Sequence, residues 1–148
     1  MRKSPTPRLL VQTVTLYNLL PKGGAPINGG YSDQYQRTVL KNVKYVQSEG
    51  AITVSSHGAV SDSLHLIIFP DMATVTDGRT YIDPVGFASL DDTSAYWTLQ
   101  KGMDYIALGE QTMEKPSTEG SGRNDFRMTS VDIRYYNGDI NHFEVNAN

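Results

Sequence analysis

Short segments of β-favouring residues, separated by turn signals, follow one another along most of the chain, and they limit the possible fold more than any other feature. Val, Ile, Thr and Tyr together outnumber Ala, Leu, Glu and Lys among the 148 residues, a balance typical of β-structure. Alternating apolar residues and intervening Gly, Pro and Asn-Gly signals predict these extended segments: 10–16, 35–47, 51–55, 63–69, 79–82, 96–100, 103–108 and a hairpin at 128–145. We therefore predict a mainly β protein, a single small β-barrel or sandwich with long loops and at most one short helix, between Asp83 and Ser94.

The domain organisation follows from where the chain can bury apolar surface. We predict a single β-rich domain at residues 9–148, preceded by a flexible basic arm at residues 1–8 that contains two prolines and three cations. Two further segments, Pro21–Asp33 and Gly109–Asp125, are rich in Gly, Pro and polar residues. We predict that both are loops and that the second is a flexible excursion, because it cannot bury itself.

Three of the segments carry predictions about their surroundings. Leu10–Leu16 has one apolar face, while Thr15 and Tyr17 lie on the other face, which predicts a strand that is accessible on one side. Tyr35–Gln47 also fits helical spacing, but its β-branched residues favour a strand. Ser63–Phe69 is apolar on both faces, which predicts a central position in the sheet.

The C-terminal hairpin turns at Asn137-Gly138, and its register depends on the length of the loop. A two-residue loop would place Val131 opposite Glu144, which mixes apolar with polar side chains. A three-residue loop that includes Tyr136, with the glycine left-handed in a bulge, would place Val131 opposite Phe143. We predict the three-residue loop, because it gives the hairpin one apolar face.

Charge and cysteine content exclude several classes of protein. The chain has 13 Lys and Arg against 16 Asp and Glu, a net charge of −3, whereas a dedicated nucleic-acid binder usually has a basic excess. The absence of cysteine excludes disulfides, thiol catalysis and zinc sites of the cysteine type. The apolar run that starts at Leu9 is interrupted from Gln12 onward, so it does not predict a signal peptide, and no segment approaches the roughly 20 apolar residues of a membrane span.

Phosphate and metal sites find weak support in the sequence. The glycine-rich segment Gly23–Gly30 lacks the Lys-Ser/Thr pair of a phosphate-binding loop. His57, Asp62 and His65 are close enough to converge on a metal ion, but their spacing matches no zinc motif. We favour a turn-capping role for His57 and a sheet-packing role for His65.

Acidic residues occur in groups that a glycosidase could use as its pair of carboxyl groups. These are Asp91 with Asp92, and Asp132 with Asp139 and Glu144. Nothing in the sequence fixes the separation that such a pair needs, and adjacent loop aspartates usually cap turns or stay solvated. We therefore predict no enzymatic activity, no cofactor and no metal.

Aromatic residues are the remaining candidates for binding. Tyr96-Trp97 and Tyr135-Tyr136 each combine two rings, and neighbouring residues in a strand point to opposite faces. We therefore predict that one ring of each pair is in the core and that at most one is available to a sugar or a protein partner.

Several segments also resemble a family of small virion-associated proteins encoded by phages and prophages of Gram-positive bacteria, whose members are described as minor capsid or head-tail joining proteins. The similarity spans most of the chain from Val14 onward. The segments that carry it are Val14–Asn18, Tyr35–Leu40, Thr80–Pro84 with Phe87, Tyr96–Ile106, Thr129–Asp132 and His142–Val145.

The resemblance implies a small β-barrel whose loops contact neighbouring subunits at the head-tail junction of a virion. We expect a connector or neck ring subunit, most like a head-closure component, that is made in the bacterial host cytoplasm and works by assembly without catalysis. Its expected partners are copies of itself in a ring and adjacent connector and tail proteins, with packaged DNA passing nearby without specific binding. The residues expected at the interface are Arg2, Lys3, Arg8, Tyr31, Tyr96 and Arg123.

Other readings stay open at this point. Within a virion, the protein could be a tail completion (terminator) or decoration protein, because these also use small β-rich subunits. Outside a virion, it could be a β-module that binds a glycan through an exposed aromatic ring. A third and less favoured alternative is an enzyme that uses His57, Asp62 and His65.

Overall fold

The structure is a computed structural model that describes residues 10–21, 26–27, 30–31, 33–48, 63–117 and 125–148. The predicted arm at residues 1–8, the predicted strand Ala51–Ser55 and the turn expected at His57-Gly58 lie outside these ranges.

The described residues are mainly in strands, with one short α-helix, α1 (Pro84–Ala88), and one 3-10 turn, Thr76–Gly78. Asp83 caps the helix, since its side chain accepts a hydrogen bond from Gly86 N at 3.1 Å. The predominance of strands, with this one short helix among the described residues, confirms the predicted fold class. The strands are β1 (Gln12–Leu19), β2 (Pro26–Ile27), β3 (Gly30–Tyr31), β4 (Tyr35–Ser48), β5 (Ser63–Ile68), β6 (Thr74–Val75), β7 (Thr80–Tyr81), β8 (Tyr96–Trp97), β9 (Tyr105–Leu108), β10 (Phe126–Tyr136) and β11 (Asp139–Ala147).

The antiparallel strands form two layers that share their two longest strands. The first layer has the order β10-β9-β1-β4-β6, and the second has the order β10-β11-β5-β4. β4 pairs with β1 through residues 35–43 and with β5 through residues 44–48. β10 likewise pairs with β9 through residues 126–127 and with β11 from residue 128 onward. The fold is therefore a barrel-like β-sandwich, and β5 has the central position that its sequence predicts.

β4 passes from one layer to the other at Asn42. The residue has a φ of 63°, in the left-handed region. It is the extra residue of a β-bulge, because Gln12 pairs with Val43 and Thr13 pairs with Lys41, so that Asn42 has no partner in β1. Asparagine is one of the few residues other than glycine that adopts this conformation readily. A β-bulge bends a strand and increases its twist, so Asn42 redirects β4 into the second layer.

Asn42→Val is expected to lower the free energy of unfolding by about 2 kcal/mol, because a β-branched residue is strained at a positive φ. Asn42→Gly is the matched control and should change stability by less than about 1 kcal/mol. Urea denaturation followed by circular dichroism measures both. Equal losses in the two variants would instead assign the effect to the 3.2 Å hydrogen bond between Asn42 Nδ2 and Thr74 Oγ1.

The core lies between the two layers and contains an aromatic cluster. Tyr81, Trp97 and Phe143 have ring centroids 4.5–5.8 Å apart, distances at which aromatic pairs attract. Trp97 is buried whereas Tyr96 is half-buried, as predicted for that pair. The apolar residues packed with them include Val14, Leu16, Leu40, Val43, Leu64, Leu66, Ile68, Ile106, Met128 and Val145.

β1 is buried on both faces, so the prediction of an accessible face is wrong. Thr15 Oγ1 donates to the carbonyl of Gly109 at 2.8 Å and accepts from Gln111 N at 2.9 Å. The hydroxyl of Tyr17 donates to the carbonyl of Met113 at 2.8 Å. The segment 109–113 thus covers the polar face of β1 through hydrogen bonds.

The same contacts correct the prediction that Gly109–Asp125 is a flexible excursion. Its described part packs on β1, and Ser117 and Asp125 are buried and bonded to each other at 2.7 and 2.8 Å. Polar segments pack when a strand presents polar partners to them. The predicted loop Pro21–Asp33 also contains the short strand pair β2 and β3.

The hairpin between β10 and β11 has a two-residue loop, so the prediction of a three-residue loop is wrong. Asn137 and Gly138 both have positive φ, 51° and 84°, as in a type I′ turn. Asn141 is an extra residue in β11, because Tyr135 faces Ile140 while Arg134 faces His142. The bulge moves every later pair by one residue, which places Val131 opposite Val145 and Ile133 opposite Phe143. The apolar face arises from this bulge and not from the loop.

Candidate functional site

Of the six residues predicted at an interface, the structure describes the side chain of Tyr96. It is half-buried in β8, and its carbonyl accepts a 2.7 Å hydrogen bond from Gln36 Nε2. Tyr31 lies in β3, but its side chain is outside the description. The remaining four lie outside the described residues: Arg2, Lys3, Arg8 and Arg123.

Of the three residues considered as candidate metal ligands, the structure describes His65. Its Nδ1 atom lies 2.8 Å from Asn146 Oδ1 on the outer face of the second layer, in agreement with a sheet-packing role. His57 and Asp62 lie outside the described residues. In the part of the chain that the structure describes, no three His, Asp or Glu side chains are placed to hold a metal ion.

The predicted acidic groups occupy two different surroundings. Asp92 accepts a 2.9 Å hydrogen bond from Ser94 N, and this bond lowers the pKa of Asp92. Asp132 lies opposite Glu144 on the outer face of the second layer. Both carboxylates contact Arg134, so the geometry places them in a charge network.

That network, the Glu144 cluster, consists of Glu144, Arg134, His142, His65 and Asp132. Glu144 Oε2 lies 3.0 Å from Arg134 Nε and 3.2 Å from His142 Nε2, while its Oε1 lies 3.6 Å from His65 Nε2. The hydrogen bond with His142 is the main cause that lowers the pKa of Glu144. Arg134 also holds Asp132 at 3.0 Å. His142 is the cross-strand partner of Arg134, and the cluster is partly exposed to solvent.

A buried carboxylate, Asp104, lies between β1 and the turn before β9. It has no solvent-exposed surface, and four hydrogen bonds of 2.7–2.9 Å reach its two oxygens. The donors are Asn18 Nδ2, Leu19 N and both the backbone N and the Nε2 of Gln100. Burial raises the pKa of Asp104 to about 6, against the lowering effect of these hydrogen bonds. The group ties the end of β1 to the turn, which is a structural role.

Sequence reasoning missed this role of Asp104. The signal was present, because Asp104 alternates with Ile106 and therefore shares the face of a buried residue. A carboxylate on such a face needs several donors. Gln100 is only four residues before Asp104, but Asn18 and Leu19 are 86 and 85 residues away along the chain, and their proximity follows only from the fold.

The outer edge of β10 is open from residue 129 to residue 136 within the described ranges. β9 pairs only with residues 126–127, and Gly102 and Asp104 bond Met128. Tyr136 and Asp139 close the two-residue turn, so alternate residues of β10 point their N–H and C=O groups away from β11. Within the described part of the chain, the outward N–H and C=O groups of Val131, Ile133 and Tyr135 therefore have no strand partner, and this edge is a surface for strand addition.

Two large aromatic side chains lie at the tip of the hairpin. Tyr135 and Tyr136 are 63% and 70% exposed, so the prediction that one of them is in the core is wrong. The reason is that β5 reaches only as far as Phe143 along β11, and the tip extends past it. The two rings point to opposite faces of the hairpin and do not form one platform.

A surface depression of about 590 Å³ lies beside the first layer. It is lined by Tyr35 and Met113 with polar and charged neighbours: Asp33, Gln34, Glu114 and Lys115. The lining carries both positive and negative side chains, and these do not form a group of acid, base and nucleophile.

No helix in the described part of the chain is both long and apolar enough to cross a membrane.

The fold and these surfaces define a small barrel-like β-sandwich with an open strand edge. The chain belongs to the family DUF6751, a family of unknown function, whose pattern matches residues 9–148. No curated protein and no solved structure matches the chain. The family description names no activity and no source, so the likeness to virion proteins stays a prediction.

Proposed function

We propose that this protein is a structural subunit of a bacteriophage virion at the head-tail junction, one copy of a connector or neck ring, which works by protein assembly without catalysis. The resemblance of segments across most of the sequence to minor capsid and head-tail joining proteins is the first support. A stable β-core with surfaces left to be covered by neighbours agrees with such a role.

The observation that carries the proposal is the exposed hairpin tip. Tyr135 and Tyr136 expose most of their surface at the end of a hairpin that extends past its neighbouring strand. Tyrosine is enriched at the energetic centres of interfaces, and a projecting hairpin reaches a neighbouring subunit more easily than a flat sheet face. The tip is the part of the described surface most suited to anchor a neighbour.

A glycan-binding module has less support from the geometry. Trp97, whose fluorescence would report a bound sugar, is 1% exposed and lies in the core. The two exposed tyrosines face opposite ways, so a sugar ring would contact only one of them.

The test is quantitative mass spectrometry of purified tailed particles from the strain that produces the protein, scaled to the major capsid protein. One ring of copies per particle supports the proposal. Hundreds of copies would place the protein in shell decoration or a tail tube, and absence from the particle would contradict a virion role.

A matched pair of variants tests the hairpin tip within the same particles. The double substitution Tyr135→Ser and Tyr136→Ser should reduce incorporation at least about tenfold, because it removes two interface anchors. Val85→Ser is the control, since Val85 is likewise strongly exposed, at 80%, and belongs to α1 and not to the hairpin. Equal incorporation of both variants would contradict a role for the tip.

A further inference from the structure

The outer edge of β10 is regular over seven residues, Ser130–Tyr136. The bulged residue Thr129 lies before this stretch, and the second bulge, at Asn141, is in β11. An open edge of this length normally carries a feature that prevents pairing with other strands. On this edge, the charged side chains that could prevent pairing with other strands are Asp132 and Arg134.

We propose that two copies of this chain pair through this edge, antiparallel, about a two-fold axis at Ile133. The inference does not rest on a virion role, because it concerns the free protein. It rests on the outward backbone groups and the side chains of residues 131–135 along this edge.

The backbone fits this register. Val131, Ile133 and Tyr135 point their N–H and C=O groups outward, and an axis at Ile133 places Val131 opposite Tyr135 of the second copy. Directly opposed residues in an antiparallel pair either exchange both hydrogen bonds or none. In this register every outward N–H and C=O group of these three residues has a partner in the second copy. The three opposed residue pairs form about six hydrogen bonds in total.

The side chains fit it as well. On the outer face, Asp132 lies opposite Arg134 of the second copy, and the symmetry repeats this pair. On the inner face, Ile133 meets its own copy and Val131 meets Tyr135. Opposite charges and apolar or aromatic pairs are the cross-strand combinations that stabilise a sheet.

Neighbouring two-fold registers are less favourable. An axis at Asp132 would place the two aspartates opposite each other, and an axis at Arg134 would do the same with the two arginines. Like charges directly opposite each other destabilise a strand pair. The sequence Asp-Ile-Arg thus selects one register and discourages its neighbours.

The pairing would cover the open edge in the free protein and so limit uncontrolled strand addition. Ring contacts are heterologous, whereas this contact is isologous. A ring subunit would therefore release the two-fold contact on assembly, and the two proposals are tested by different experiments.

Light scattering of the full chain over a range of concentrations tests the dimer. We expect a mass of twice 16.4 kDa at high concentration. Asp132→Arg and Arg134→Asp should each weaken the dimer about tenfold or more, because the axis applies each change twice, and the double variant should restore it. Asp71→Arg, with the same charge change on an exposed turn, should leave it unaltered. A monomer at all concentrations, or a double variant as weak as the singles, would overturn the proposal.

Disulfide formation reports the register, since the chain has no cysteine of its own. Asp132→Cys and Arg134→Cys become directly opposed in the proposed register at a non-hydrogen-bonded pair, where Cα atoms are about 4.5 Å apart and a disulfide fits. Mixing the two variants should give the mixed disulfide faster than either variant links to itself. Faster self-linking of either variant, or no linking, would contradict the axis at Ile133.

Discussion

Asp104→Ala is expected to lower the free energy of unfolding by about 3 kcal/mol at pH 7. The substitution removes the acceptor of four hydrogen bonds from Asn18, Leu19 and Gln100. Each buried donor left without a partner costs about 1–3 kcal/mol, and relief from burying the carboxylate offsets part of the sum. Urea denaturation, followed by the fluorescence of the buried Trp97, measures the loss.

The matched control is Thr98→Val in the same buried region. The hydroxyl of Thr98 is buried and has no hydrogen-bond partner among the described residues, so its removal should change stability by less than about 1 kcal/mol or raise it. A loss at Asp104 no larger than that at Thr98 would show that the four hydrogen bonds do not hold the end of β1 to the turn.

The stability that Asp104 contributes is expected to fall as the pH rises from about 4 to 7. Burial raises its pKa from the ordinary 3.8 to about 6 in the folded protein. Between these values the folded state binds more protons than the unfolded state, so unfolding becomes easier with increasing pH. The part of its contribution that is linked to the proton is complete below pH 3.8 and is lost as the pH passes 6, whereas the four hydrogen bonds to the carboxylate remain at pH 7. A difference of about 2 units corresponds to about 3 kcal/mol.

Comparison with Asp104→Asn isolates this effect. Glu144 and Asp92 have lowered pKa values, so their stabilising contributions are lost in the opposite direction, as the pH falls. These groups are present in both proteins and cancel in the difference. The free energy of unfolding of the native protein, measured relative to that of the Asn variant, should fall by about 2–3 kcal/mol from pH 4 to pH 8. A difference that is constant with pH would contradict a raised pKa.

In the hairpin between β10 and β11, the local sequence predicts the position of the turn but not the length of the loop. Asn137-Gly138 predicted the turn, because few residue pairs adopt two successive positive φ angles. The prediction of a three-residue loop was wrong, because a bulge at Asn141, four residues after Asn137, brings the apolar residues of the two strands opposite each other. A bulge leaves no strong mark in the sequence.

The positions of the exposed tyrosines were predicted only in part. Tyr96 and Tyr31 were chosen for an interface, whereas the structure exposes Tyr135 and Tyr136 together. Alternation alone assigns one tyrosine of such a pair to the core. Whether a core exists at that point depends on where β5 ends, which the sequence near the tyrosines does not encode.

The sequence by itself determined the mainly β character, most of the described strands, the one short helix after Asp83 and the turn at Asn137-Gly138. These features arise from preferences that act within a few residues. The tertiary structure decided the burial of Tyr17 under segment 109–113, the approach of Asn18 and Leu19 to Asp104 and the open edge of β10. Each of these depends on groups far apart in the chain, whose contacts exist only once the two layers have packed together.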